Sequence, residues 1–451
     1  MPRHVRCTAT EPTPSPAAFV LPAPPRVPLI PSALLARHAC LIPGDTRWRA
    51  AQRLRQSLWR EAQGLPAGLY RPGGDRTATP VLLGSLLAPA DAARGRNFVS
   101  PAVHSLVRRS LVFREEGACV NVERLFRNAL SSEPLVYNMF GPLALDLDLA
   151  TRVWQALLPG FVHRVTGLRV ETAPSRDRQD PRFLTDGTAF DCALSLITPD
   201  GEPATLFVEV KLSESGGPAS AHRLRYDEAS RELALHRDPN ARVLRSVACE
   251  QLFRLHMLSQ LCVRHGLTPR AHLVVLSPSG NSSVALATHR YAAELVDPAG
   301  TNPETVGFTP FTLEAFVAAL ASAGATAQAA YLAERYLDLT PVLDVVLADL
   351  GTDADPGPEA GPPAPPPPAG PVLALPPPSS EREDAGSEAV SDTGRLDPTQ
   401  PTPRPARRRS SIAVTAAART KRPRSTPAAR KNHRKVAAAA AAGPATAAGD
   451  R

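Results

Sequence analysis

Hydrophobic positions recur at helical spacing in several stretches of the chain. In residues 46–64, "TRWRAAQRLRQSLWREAQG", Trp48, Ala51, Leu54, Leu58 and Trp59 fall near one stripe and Gly64 ends the pattern. Arg47, Arg49, Arg53, Arg55 and Arg60 surround that stripe, either as a solvated basic face or as contacts for phosphates. A second helix is expected at "SSEPLVYNMF", with Ser131 or Ser132 as N-cap and Pro134 tolerated in the first turn. "DLATRVWQALL" puts Leu149, Val153, Ala156 and Leu157 on one stripe. "CEQLFRLHMLSQLCVRHG" repeats the pattern with Leu252, Leu255, Leu258, Leu261 and Cys262, closed by Gly266. "AHLVVLSP" reads as a short buried strand, and "TLEAFVAALASAGATAQAAYLAERYLDL" as one long helix or a broken pair.

Residues 185–212 switch to period two. Phe190, Cys192, Leu194 and Leu196 alternate with Asp191, Ala193 and Ser195; then Leu206, Val208, Val210 and Leu212 alternate with Phe207, Glu209 and Lys211. Two strands of a hairpin are implied, and the loop decides which residues share a face. A two-residue turn at Asp200-Gly201 would pair position 191 with 210. A three-residue loop, Pro199-Asp200-Gly201, pairs 191 with 209 and puts Asp191 on the face of Glu209. The longer loop has the favoured chemistry, with Pro opening a type I turn and Gly in the left-handed position that closes it.

Composition limits where a core can lie. Pro supplies 49 of 451 residues and aromatic residues only 5%, so part of the chain cannot pack a core. The expected division is a Pro-rich disordered leader at 1–45, an ordered body at 46–350, and a disordered tail at 351–451 that runs from proline tracts into basic, Ala-rich sequence. The tail holds 15 Lys+Arg against 10 Asp+Glu, leaving 36 against 33 in the first 350 residues. Between Arg404 and Lys435 there are twelve Lys/Arg and no acid, among them Arg407, Arg408, Arg409, Lys421, Arg422, Arg424 and Lys431. Such a segment is either a sequence-blind tether to nucleic-acid phosphates or a solvating tail.

Six cysteines are scattered with no CxxC pair, which favours reduced thiols and a cytoplasmic protein. No run of eighteen apolar residues exists to span a membrane. His222, His236, His256 and His272 lack paired ligand spacing and are expected to be structural or surface groups.

The charged face of the hairpin carries the candidate chemistry. Asp191 and Glu209, about 5 Å apart if directly opposed, would repel unless they share a cation. Hard oxygen donors suit Mg²⁺, with Mn²⁺ an alternative, and the Val210 carbonyl can complete such a site. Metal-assisted phosphodiester hydrolysis follows, with Lys211 positioning or deprotonating the water or stabilising the phosphorane. The rival assignment is a solvated strand face.

Asp191 followed by "EVK" at 209–211 resembles the signature of the PD-(D/E)XK nuclease superfamily. More narrowly, "RWRAAQRLRQSLWREAQGLP", "GSLLAPADAARGRNFVSP", "SSEPLVYNMFGPL", "TAFDCAL…LFVEVKLSES" and "CEQLFRLHML" resemble a bacterial family of restriction-endonuclease-like proteins, over roughly residues 46–290. The resemblance implies an α/β fold with a restriction-endonuclease-like mixed central sheet flanked by helices, metal binding by Asp191 and Glu209, and catalytic support by Lys211. It further matches Glu214 to an acid after the triplet and Gln251 to a Gln on the following helix. It places Glu133 on an earlier helix that often donates a metal ligand, where Gln is the commoner residue. Ser132 and Asn138 are candidate supporting groups or simply a cap and a buried amide, and Asp186 is a weaker substitute for Asp191.

The expected function is Mg²⁺-dependent endonucleolytic cleavage of DNA by a homodimer, since cutting two strands takes two active sites. The alternatives are a catalytically inactive nuclease-fold protein that binds nucleic acid through its basic tail, and a non-enzymatic interaction protein with a Pro-rich ligand segment.

Overall fold

The computed structural model describes residues 26–352, apart from 72–76, 116–117, 119, 174–179 and 215–220. The basic tail, with Arg407, Arg408, Arg409, Lys421, Arg422, Arg424 and Lys431, lies outside the described residues.

Helices α1 (Ser32–Arg37) and α2 (Arg47–Ala62) precede a small antiparallel pair, β1 (Ala67–Tyr70) and β2 (Val81–Leu87). Then come α3 (Pro89–Ala93), α4 (Pro101–Val112), α5 (Val122–Arg127), α6 (Ser132–Leu145) and α7 (Leu147–Leu157). The central sheet follows as β3 (Arg164–Thr172), β4 (Phe190–Ile197) and β5 (Pro203–Val210). After α8 (Leu224–Leu233) and α9 (Glu250–Arg264), β6 (Ala271–Ser277) returns to the sheet, and α10 (Ser282–Glu294) leads to β7 (Gly307–Thr312). Helices α11 (Leu313–Ser322), α12 (Thr326–Leu332) and α13 (Thr340–Thr352) close the described chain.

The sheet has strand order β3-β4-β5-β6-β7, antiparallel across the first three strands and parallel across the last three. Its two faces have separate cores. Cys192, Leu194, Leu196, Leu206, Val208, Val210 and Leu212 pack with α6, α7, α11 and α12. Phe207, Leu273 and Val275 pack with α8, α9 and α10 on the other side. Every residue of β6 but the last is buried, as expected of a parallel strand covered on both faces. Alternation assigned Phe190 to the face of Cys192; beyond the end of the β4–β5 ladder it instead stacks on Phe207, ring centres 4.1 Å apart, and joins the second core.

The β4–β5 loop has the three-residue form. Thr198 N–H donates to Glu202 O at 2.9 Å, Gly201 N–H donates to Thr198 O at 2.9 Å, and Gly201 sits at φ 88°. The register Cys192↔Val208, continued by one residue, sets Asp191 opposite Glu209.

Residues 26–45 correct the expected leader. Ile30, Leu34, Leu35 and Cys40 bury their side chains with Ala51 and Leu54 of α2 and Val342 and Val346 of α13. Pro28 and Pro31 precede α1, Pro31 as its N-cap residue, and residues 1–25 of the expected leader lie outside the described residues. The arginines of α2 also change role. Arg53 pairs with Asp45 at 2.7 Å, Arg55 donates to Asp338 O at 2.7 Å and Arg60 donates to Gly84 O at 2.8 Å. These three buried guanidiniums are taken up by a carboxylate, a serine hydroxyl and backbone carbonyls and are not available to phosphates, whereas Arg49 pairs with Asp45 at 3.0 Å and Arg47 stays exposed.

Candidate active site

The chain leaving β5 is held from three directions. Lys211 N–H continues the parallel ladder by donating to Leu276 O at 2.8 Å. Leu212 O accepts from the Trp48 indole at 2.9 Å and from the Asn281 amide at 3.3 Å. Glu214 folds back so that its Oε2 accepts from the Leu212 and Ser213 amides at 2.8 and 3.0 Å. Position 211 therefore has a fixed backbone before any ligand arrives.

On this frame the sequence-predicted residues meet. Asp191 Oδ2 accepts from Val210 N–H at 2.7 Å, which lays its carboxylate against the 209–210 peptide. The Glu209 side chain is only 3% exposed, and its Oε1 accepts from Lys211 Nζ at 2.6 Å and from Gln251 Nε2 at 2.8 Å. Gln251 arrives on the first turn of α9, from one face of the sheet. From the other face comes the start of α6, where Ser131 caps Glu133 N–H and the Ser132 N–H donates to Glu214 Oε1 at 3.3 Å. The Arg124 guanidinium lies 3.5 Å from Glu214 and 3.7 Å from Glu133, and donates to Ser131 Oγ at 2.8 Å.

The charges perturb one another in a consistent way. Burial, then the neighbouring Glu209 and Glu171 carboxylates, push the Asp191 carboxyl well above the usual range. Burial would lower the Lys211 ammonium, but Glu209, Asp191 and Glu214 together outweigh it and raise its pKa. Burial acts against ionised Glu214 too, yet Lys211, Arg124 and the donated amides hold its carboxyl low. Glu133 is pushed up to about 7, chiefly by burial, with Glu214 adding to the shift and Arg124 opposing it. Its Oε2 is buried without a hydrogen-bond partner.

Other candidates resolve into structural groups. Asn138 is fully buried and spends its amide on Asn97 O and the Tyr336 hydroxyl, at 3.1 and 2.9 Å. Asp186 holds Thr188 and the Tyr226 hydroxyl, the latter at 2.8 Å. His222 pairs with Asp227, His236 and His256 share the Tyr291 hydroxyl, and His272 meets Thr309 Oγ1.

Two members of the site had no sequence signal. Arg124 lies far up the chain in a short helix, and nothing in its local pattern distinguishes it from other arginines. Glu171 belongs to β3, which contains "RVET" and pairs Val170 with Cys192 and Thr172 with Phe190, so it flanks Asp191 across the ladder. It takes φ 54°, an unusual conformation for a non-glycine strand residue.

The donor set fits a divalent cation. Its atoms are hard carboxylate oxygens, one of them buried and unpartnered, and the burial and carboxylate repulsion that raise Asp191 are what a cation would relieve. Among the described residues, no three acidic, His or Cys side chains already converge at ligand distance.

A family model described as the PD-(D/E)XK nuclease superfamily matches residues 43–338. The chain belongs to the PD-(D/E)XK nuclease superfamily. Its mixed central sheet flanked by helices is that superfamily's fold. No curated protein and no solved structure matches the chain. Among the described residues, no helix of this PD-(D/E)XK protein is long and apolar enough to cross a membrane.

Proposed function

We propose that this PD-(D/E)XK protein is a metal-dependent endonuclease that hydrolyses phosphodiester bonds in DNA. The observation that carries the proposal is the convergence of Asp191, Glu209 and Lys211 at the end of β5, with Glu209 buried and ion-paired to Lys211 at 2.6 Å. A buried structural ion pair would need no second carboxylate beside it, whereas Asp191 is held there at the cost of a raised pKa.

Asp191, Glu209 and the Val210 carbonyl would hold the ion, Mg²⁺ or Mn²⁺, with Glu133 and Glu214 in support. Such an ion, when bound, acidifies water and neutralises charge on the attacked phosphate. Lys211 remains protonated at neutral pH, because the three surrounding carboxylates raise its pKa. Its part is therefore cationic, orienting the attacking water and stabilising the extra negative charge of the phosphorane. Gln251 holds Glu209 in place, and Glu214 holds Lys211 in its electrostatic field while ordering the backbone after β5. The basic tail adds sequence-blind affinity for phosphates.

The test is cleavage of supercoiled plasmid and of RNA with Mg²⁺ or EDTA, comparing the wild type with Glu209→Ala, Lys211→Ala and the double variant. Each single substitution is expected to lower the rate at least about 10²-fold, and EDTA to abolish cleavage. Equal cleavage by wild type and double variant would remove the site from the chemistry. Mg²⁺-independent binding without cleavage by the wild type would favour a catalytically inactive nucleic-acid-binding protein.

A further inference from the structure

A cavity lies apart from these acids. About 300 Å³ in volume, it opens between α2, the segment joining α3 to α4, and the end of α12, and none of its lining residues belongs to the acidic site. Its lining is mixed: the half-buried Tyr331 and the nearly buried Trp59 and Phe98, 6% exposed each, with Arg94, Arg96 and His104 around them. Glu334 is its one acidic lining residue.

The cavity is positively biased beyond its own lining. Behind Trp59 the Arg335 guanidinium is completely buried, 3.8 Å from the centre of the indole. Its hydrogen bonds go to neutral acceptors, Asn97 O at 2.8 Å, Gln56 Oε1 at 3.2 Å and the Tyr331 hydroxyl at 2.5 Å. Among the described residues neither it nor Arg96 takes part in an ion pair. Arg94 is partly offset by Asp91 at 3.2 Å. A buried cation balanced by dipoles alone favours an anion nearby.

The wall itself is built to a shape. His104 stacks on Phe98 with the rings 10° from parallel, and its Nε2 is buried without a partner. Gly95 takes φ 77° directly against this ring, where a Cβ would overlap it. Glycine thus meets two demands at once, the left-handed backbone and the close approach of the imidazole.

From these features we infer that the cavity binds a single nucleotide, its base against the Tyr331 ring beside Trp59 and Phe98 and its phosphate held by Arg96 and Arg94. The volume is at the low end for small-molecule sites, enough for one nucleotide and no longer segment. The half-buried Tyr331 ring offers stacking that tolerates any base, and a guanidinium matches phosphate geometry. Choosing a nucleotide over another planar anion rests on the nuclease reading. The nucleotide comes either free from solution or as one unit turned out of a bound strand.

The test uses the full chain in EDTA, where cleavage does not contribute. Adenosine monophosphate and a single-stranded oligodeoxynucleotide of eight residues are titrated separately while the His104 imidazole resonance is followed by NMR, assigned by its loss in His104→Gln. A shift on adding the mononucleotide, weakened at least tenfold by Arg96→Glu, supports a free-nucleotide site. A shift with the oligonucleotide alone, again lost in Arg96→Glu, supports a strand nucleotide. No shift with either ligand, or shifts indifferent to Arg96→Glu, overturns the inference. Glu209→Ala is expected to leave these titrations unchanged, so failure here and failure of the nuclease proposal are read separately.

Discussion

Replacing Glu133 with Gln should stabilise the protein, and by an amount that depends on pH. The carboxyl is 18% exposed, one oxygen has no partner, and Arg124 at 3.7 Å only partly offsets burial and Glu214. Its pKa rises from an ordinary 4.5 to about 7. The folded state therefore binds this proton more tightly than the unfolded chain. Stability from that proton is complete below pH 4.5 and is lost as pH rises through about 7. At roughly 1.4 kcal/mol per tenfold difference in proton affinity, the loss approaches about 3 kcal/mol by pH 8. Gln has nearly the same shape without the charge, so the variant avoids that penalty. Thermal unfolding in EDTA should show the two proteins close together at pH 5 and the variant higher by about 5 °C at pH 8. If Glu133 also supports the proposed ion, Mg²⁺ will raise the wild type more than the variant and narrow the gap at pH 8. A gap of constant size from pH 5 to pH 8 would refute the electrostatic account, since a packing difference does not titrate.

Arg124→Ala should push the Glu133 carboxyl still higher and remove the guanidinium beside Glu214; with that group 39% exposed the stability cost should stay at or below about 1 kcal/mol, while plasmid cleavage drops more than tenfold. Arg124→Lys should recover part of that rate, and unchanged cleavage in the Ala variant would remove Arg124 from the site. Gly201→Ala should cost about 1 kcal/mol in urea denaturation, purely from backbone strain, because a Cβ there meets nothing within 4 Å. Absence of any cost would contradict the left-handed loop that aligns Asp191 with Glu209. A chain ending at residue 352 should bind DNA with a shallower dependence of log affinity on log salt than the full chain, and equal slopes would show that the twelve basic tail residues do not reach phosphates.

Much of the site was legible because β-structure reports its own geometry. Period-two alternation separated the Val208 and Val210 face from that of Glu209 and Lys211, and the chemistry of Pro199-Asp200-Gly201 set the hairpin register to the residue. The start of α6 was equally readable, since Ser131 and Pro134 are local signals. The segment at 26–45 was misassigned for the converse reason. Its prolines are conspicuous in the chain, whereas the value of Leu34 and Leu35 depends on α2 and on α13, some three hundred residues away. The arginines of α2 form another such case, because a helix with five Arg looks solvated until the groups that bury Arg53, Arg55 and Arg60 are in place.

Sequence alone determined the hairpin, its parity and the identity of the acids on its charged face, all consequences of interactions between residues close in the chain. Tertiary structure decided how those acids are charged. Asp191 is raised because packing buries it and then because β5 brings Glu209 and β3 brings Glu171 beside it, and Glu133 is raised because α6 is buried near Glu214. Burial and distance between charges are properties of the packed molecule, and a one-dimensional pattern carries neither. The same holds for the nucleotide-sized cavity, where Trp59, His104 and Arg335 become neighbours only when three separate segments of the chain meet.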